Sequence, residues 1–250
     1  MPRACHVLLL LVALLAPVFG ANAGEVQVAA AANLAPVMQK LAAAFRRDTG
    51  NDAIVSLGST GKLYAQIRNG APFEVLLAAD EETPRRLEAE GLARSGTRFT
   101  YAFGQLVLWS AESGKVDAHG DVLRQPHGKL AIADPRIAPY GAAAVETLTN
   151  LGLYAGWQAL LVQGESIGQA FQFASSGNAA LGFVALSQVA EDSRIARGSG
   201  WIVPASLYPP LQQDAVLLNA GIDNPVASLF LSYLRGNAAR AVLRSAGYKF

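Results

Sequence analysis

The sequence contains one motif typical of nucleophilic catalysis. Gly164-Glu165-Ser166-Ile167-Gly168 matches the G-x-S-x-G pattern, which exposes a nucleophilic serine between a strand and a helix. In hydrolases of that type an acid and then a histidine follow the serine along the chain. The three histidines, His6, His119 and His127, all precede Ser166. We therefore expect that the protein is not an enzyme, and a secreted serine hydrolase using Ser166 remains one alternative.

Two further patterns hint at phosphate or metal binding and fail on inspection. Ser59-Thr60-Gly61-Lys62 ends like a P-loop, but Ser56 stands where that motif needs a glycine and Leu63 where it needs a hydroxyl. His119 and His127 lie in a polar stretch beside a proline and a glycine, which indicates exposed loop residues. The sequence predicts no cofactor and no directly ligated metal.

Four loops carry small or hydroxylic residues at positions where they could bind a ligand. Each is expected to join an apolar strand to the start of a helix: Ala30–Asn33, Gly58–Gly61, Asp134–Gly141 and Gly164–Ile167. The start of a helix presents free N–H groups and the positive end of the helix dipole. Several such starts meeting at one point make an anion site that needs no cation. The alternative is that these are ordinary helix caps.

The elements that must position these loops alternate between strand and helix, a pattern typical of an α/β fold. The predicted strands are Val26–Ala32, Ala53–Leu57, Val75–Ala79, Phe103–Ser110, Lys129–Ala133, Leu181–Leu186 and Ala215–Asn219. Helical spacing or capping signals predict helices over Leu34–Phe45, Leu63–Arg68, Glu82–Glu90, Ala142–Leu151, Ile167–Ala174, Pro225–Leu234 and Ala238–Ala246.

The chain has no Pro/Gly/Ser-rich linker. A two-domain protein without a linker must exchange chain segments between its domains, so we expect a hinge of continuous crossings. The candidate hinge segments are Tyr101–Gly104 and Tyr208–Gln213.

Composition excludes several classes of protein. Of 250 residues, 52% are hydrophobic and 16% are charged, which excludes an intrinsically disordered chain. The 20 Lys and Arg residues nearly balance 19 Asp and Glu residues, and the sequence shows no basic block. A nucleic-acid partner is therefore not expected, because such binders concentrate positive charge.

The N-terminus resembles a secretory signal peptide. Arg3 precedes the apolar run Val7–Gly20, and Ala21-Asn22-Ala23 provides a small-residue cleavage site. The run is too short to span a bilayer as a helix. We expect residues 1–23 to be removed after Ala23, together with Cys5, and the mature protein to be exported to the periplasm.

The loops lie in stretches that resemble the periplasmic molybdate-binding proteins of ABC transporters. The similar stretches are VAAAANLAPVMQKLAAAF, GSTGKLYAQIRNGAPFEVLLAAD, LAIADPRIAPYGAAAVETLTNLGLY and NAALGFVALSQV. The resemblance covers the whole mature chain. It implies a type II periplasmic solute-binding fold, in which two α/β domains hold an oxyanion in the cleft between them. The implied domains are 24–103 with 214–250, and 104–213, joined by a hinge of two chain crossings.

The same resemblance implies four ligand-binding residues. Asn33 would donate through its side chain or its backbone, and Thr60 through both its hydroxyl and its backbone N–H. Tyr140 and Ile167 match positions that use only the backbone N–H. These contacts reach the oxygens of molybdate and are not direct metal ligation.

One position departs from the family pattern. Some members place a tyrosine, whose phenol donates to the ion, where this chain has Ala185. The resemblance implies a receptor for molybdate, and for tungstate, that works as a monomer with the permease and ATPase subunits of an ABC importer. A receptor of the same fold for sulfate or another tetrahedral oxyanion is the alternative.

Overall fold

The computed structural model describes residues 23–250. The predicted signal peptide therefore lies outside the described residues, apart from Ala23. Within residues 23–250 no helix is both long enough and apolar enough to cross a membrane.

Strands and helices alternate along most of the described chain. The strands are β1 (Glu25–Ala31), β2 (Asp52–Gly58), β3 (Val75–Leu77), β4 (Phe99–Phe103), β5 (Leu106–Ser110), β6 (Leu130–Ala133), β7 (Leu161–Gly164), β8 (Leu181–Ala185), β9 (Ala190–Glu191), β10 (Arg194–Ile195), β11 (Ser199–Ile202) and β12 (Gln212–Leu217). The helices are α1 (Ala35–Thr49), α2 (Thr60–Arg68), α3 (Glu82–Ala89), α4 (Pro139–Asn150), α5 (Tyr154–Trp157), α6 (Ile167–Ser175), α7 (Leu186–Val189), α8 (Pro225–Arg235) and α9 (Asn237–Ser245).

Two five-stranded sheets form the cores of two domains. The first sheet has the order β2-β1-β3-β12-β4, and the second has the order β11-β5-β8-β6-β7. Parallel pairing joins β1 to β2 and β3, and it joins β6 to β7 and β8. Because parallel strands end at the same edge of a sheet, the loops that follow β1 and β2, and those that follow β6 and β7, are brought together. The predicted two-domain α/β fold is confirmed.

Both faces of the first sheet are buried. Successive side chains of a strand point to opposite faces, so neighbouring apolar residues enter different cores. Val26, Val28 and Ala30 face a core formed with α1, α8 and α9, whereas Ala29 faces a separate core formed with α2 and α3. The apolar residues of the predicted first helix all enter the first of these cores: Leu34, Val37, Met38, Leu41 and Phe45. The helical spacing of these residues is thus explained by burial against one face of the sheet.

One predicted strand covers the last residue of one strand and the whole of the next. The sequence predicts a single strand over Phe103–Ser110, but β4 ends at Phe103 in the first sheet and β5 begins at Leu106 in the second. The chain changes domain at Gly104, where a β carbon would collide with the hydroxyl of Tyr140. The break begins at Gly104, the last residue of the candidate hinge segment Tyr101–Gly104.

The chain crosses between the domains twice. It leaves the first sheet after β4 and returns between β11 and β12. Strand β12 starts at Gln212, so the predicted domain boundary before Asp214 falls inside this strand. Near the first crossing the C-terminal segment pairs with the end of β4. The backbones of Phe103 and Lys249 exchange hydrogen bonds of 2.8 and 2.9 Å.

A small cavity between the two domains

The structure brings all four sequence-predicted site residues into the wall of one cavity. The first domain contributes Asn33 and Thr60, and the second contributes Tyr140 and Ile167. The complete wall consists of Ala31, Ala32, Asn33, Ser59, Thr60, Ala79, Ala138, Pro139, Tyr140 and Ile167. The cavity volume is about 10 Å³, close to the space that one water molecule needs. Cavities for drug-sized ligands span about 300–1,000 Å³, so this cavity is far too small for such ligands.

Asn33 lies in a short helical turn directly after β1 and is 1% exposed. Its Nδ2 donates to Gln213 Oε1 at 2.9 Å and to Tyr248 Oη at 2.8 Å. Both protons of the side-chain amide therefore already have acceptors. The backbone N–H remains, because an N–H at the start of a helical turn has no acceptor within that turn. Of the two modes that the sequence left open, the geometry favours the backbone.

Thr60 is the first residue of α2 and is 1% exposed. Its Oγ1 accepts a hydrogen bond of 3.0 Å from the backbone N–H of Ala79. A hydroxyl has a single proton, and that of Thr60 stays available because Oγ1 serves Ala79 as an acceptor. Thr60 can thus donate through its hydroxyl and through its backbone N–H.

Ser59 is a candidate site residue that the sequence analysis missed. It precedes α2 in the capping position, yet its side chain makes no capping hydrogen bond. Its Oγ is buried without a partner, and the residue is 4% exposed. A buried hydroxyl without a partner is costly unless a ligand satisfies it. The only signal in the sequence was the pair of adjacent hydroxyl residues, Ser59 and Thr60.

The second domain presents backbone groups instead of side-chain groups. Tyr140 lies in the first turn of α4 behind Pro139, and its Oη accepts from Gln213 Nε2 at 3.1 Å. Ile167 is the first residue of α6 and has no polar side chain. The N–H groups of both residues belong to first helical turns, where they have no intrahelical acceptor. The direction in which these two N–H groups point is fixed by the positions of α4 and α6.

A buried network of neutral groups supports the wall from behind. Gln213, which is fully buried, joins Asn33 of the first domain to Tyr140 of the second. Its Oε1 also accepts from the hydroxyl of Tyr101 at 2.8 Å. Burial raises the pKa of Tyr101, Tyr140 and Tyr248 above that of a free phenol, so all three stay neutral. The wall itself contains no charged residue.

The two domains touch at the rim of the cavity. The N–H of Gly61 donates to the carbonyl of Ile137 at 2.9 Å. Lys62 Nζ lies 3.2 Å from a carboxylate oxygen of Glu165, with both side chains more than half exposed. The hydroxyl of Ser187 donates to the backbone carbonyl of Asn33 at 2.7 Å. The two domains therefore close over the cavity, and the structure is a closed form.

The geometry does not assemble a hydrolase around Ser166. The Oγ of Ser166 accepts from the backbone N–H of Gln169 at 3.3 Å and so caps α6. His119 and His127 are exposed, and neither lines the cavity. Within residues 23–250 no group of three His, Cys, Asp or Glu side chains is placed to hold a metal ion.

A family model described as "bacterial extracellular solute-binding protein" matches residues 26–249. The chain belongs to this family of two-domain receptors. It is 55% identical over 229 residues to the molybdate-binding protein ModA of Azotobacter vinelandii, with 91% of each chain covered. It is 46% identical to ModA of Rhodobacter capsulatus, covering 91% of this chain and 89% of that one.

A solved structure supports the same assignment. The periplasmic molybdate-binding protein of Azotobacter vinelandii superposes with a TM-score of 0.88 at 42% sequence identity. The superposition covers 90% of this chain and 99% of that chain. These relatives are binding proteins.

Proposed function

We propose that this protein is a periplasmic receptor that binds molybdate in the cavity between its domains and delivers it to an ABC importer. The observation that carries the proposal is a small, closed, uncharged cavity at which three helical starts and the Thr60 hydroxyl meet. Relatives named as molybdate-binding proteins, at 55% and 46% identity, favour this ion over sulfate.

The donors explain how an anion is held without a cation. The N–H groups of Asn33, Tyr140 and Ile167, with both donors of Thr60, would bind the oxygens of the ion. N–H groups at helix starts and the helix dipole favour negative charge. In a cavity that excludes water, each such hydrogen bond is electrostatically stronger than in solution.

The same donors account for selection among anions by protonation state. Neutral O–H and N–H donors need acceptor oxygens, so they favour a fully deprotonated tetrahedral dianion. A hydrogen phosphate ion would place its own O–H against donors and leave it unsatisfied, at a cost of about 1–3 kcal/mol. Sulfate passes this test and must be rejected by size, whereas tungstate has the charge and shape of molybdate and is expected to bind.

The remaining parts of the proposal follow from the family. The receptor would be exported by its N-terminal signal peptide and cleaved after Ala23. It would act as a monomer and pass its ion to the permease and ATPase subunits of the importer. Ala185 does not line the cavity, and the Ser59 hydroxyl offers a further donor from the first domain.

Calorimetric titration of the ligand-stripped protein tests the proposal. We expect tight binding of molybdate that a large excess of sulfate does not displace. Tight binding of sulfate in the first titration would keep the fold and move the function to sulfate uptake. Binding of neither ion would overturn the proposal, and ester hydrolysis would then be assayed with Ser166→Ala as the control.

A further inference from the structure

Three of the residues proposed to bind the ion are each followed by a glycine. Thr60, Tyr140 and Ile167 precede Gly61, Gly141 and Gly168, so each glycine lies in the first turn of a helix. Glycine is less favourable than alanine inside a helix, so its presence there calls for a spatial reason.

The surroundings of the three glycines differ. A β carbon at Gly141 would collide with the carbonyl of Ala133, which lies in the same domain. A β carbon at Gly168 would meet its nearest neighbours at 3.5 and 3.7 Å, which are ordinary contacts. A β carbon at Gly61 would lie 2.9 Å from Cβ of Ile137 and 3.0 Å from its Cα and carbonyl oxygen. Ile137 belongs to the opposite domain.

The backbone of Gly61 also makes a hydrogen bond across the cleft. Its N–H donates to the carbonyl oxygen of Ile137 at 2.9 Å. Ile137 stands three residues before Tyr140, just ahead of α4. This bond therefore joins the turn that carries the Thr60 donors directly to the turn that carries the Tyr140 donor.

We infer that Gly61 is a positioning residue whose missing side chain lets the two donor turns meet when the cleft closes. The inference rests on the proposed function. The contact with Ile137 exists only while the domains are closed, so a side chain at position 61 acts on the closed form and not on the open one. A substitution that selectively destabilises the closed form shifts the protein toward the open form, from which the ion escapes.

Stopped-flow kinetics of molybdate binding to Gly61→Ala test the inference. We expect molybdate to dissociate about 10- to 100-fold faster than from wild type, because an overpacked contact destabilises the closed form by an amount in this range. The association rate should change little. The melting temperature of the ligand-free variant should not fall, because alanine favours the helix. Gly168→Ala is the matched control, also in a first helical turn at the cleft, and should dissociate within about twofold of wild type.

A second variant separates crowding from a general defect. Ile137→Gly in the Gly61→Ala background removes the nearest colliding atom and should slow dissociation at least about threefold. Small-angle X-ray scattering should show that saturating molybdate compacts wild type more than it compacts Gly61→Ala. If wild type binds molybdate and Gly61→Ala dissociates at the same rate, the inference falls and the proposed function stands. If wild type binds no molybdate, both are overturned.

Discussion

The two walls of the cavity offer hydrogen-bond donors by different means. The first domain adds the hydroxyl groups of Ser59 and Thr60 to its backbone N–H groups, whereas the second presents backbone N–H groups alone, at Tyr140 and Ile167. The phenol of Tyr140 is bonded to Gln213. The first wall can therefore be changed by exchanging side chains, while the second changes only if a helix moves.

Two serines make this contrast concrete. Ser59 and Ser166 occupy the same capping position, ahead of α2 and α6 respectively. The Oγ of Ser166 accepts a hydrogen bond from its own helix. The Oγ of Ser59 is buried and makes no hydrogen bond. One serine thus stabilises the fold, and the other is left available for a ligand.

The largest effect is expected from the central donor of the first wall. Thr60→Ala removes a hydroxyl at the cavity and should raise the dissociation constant for molybdate about 10- to 100-fold. It also leaves the N–H of Ala79 without its acceptor, so the ligand-free protein should lose some stability. Calorimetry measures the affinity and urea unfolding the stability. Thr60→Ser keeps the hydroxyl as a control, and an unchanged affinity in Thr60→Ala would contradict the proposed role of this wall.

The two serines predict opposite patterns of loss. Ser59→Ala should weaken molybdate binding about three- to tenfold without lowering stability, because it removes a donor that caps nothing. Ser166→Ala should lower the free energy of unfolding by about 1 kcal/mol and leave affinity unchanged, because it removes only a cap. The same titration and unfolding experiments on both variants give the comparison. Equal changes in affinity and stability in the two variants would contradict the proposed difference between the two serines.

The smallest effect on binding is expected at Tyr140. Tyr140→Phe should leave the dissociation constant within about twofold of wild type, because the backbone N–H at the helix start is retained. The free energy of unfolding should fall by about 1–3 kcal/mol, since buried Gln213 Nε2 loses its acceptor. A tenfold loss of affinity in a variant that unfolds normally would assign the phenol to the ion and contradict the contrast between the walls.

The sequence predicted what local patterns control. The buried stripe of α1 follows helical spacing, and the loops after parallel strands meet because such strands end at one edge. The network behind the wall could not be predicted, because Asn33 and Gln213 are separated by 180 residues and no local pattern pairs them. The free hydroxyl of Ser59 was missed for a related reason, since a serine ahead of a helix predicts a cap.

The position of β12 has a consequence for the order in which the protein folds. This strand lies between β3 and β4, yet it follows every strand of the second sheet in the sequence. The second sheet is complete once residue 202 has been synthesised, whereas the first must await residue 217. Distant strand pairing slows folding. We therefore expect the middle of the chain to fold first, while the N-terminal strands wait for their last partner.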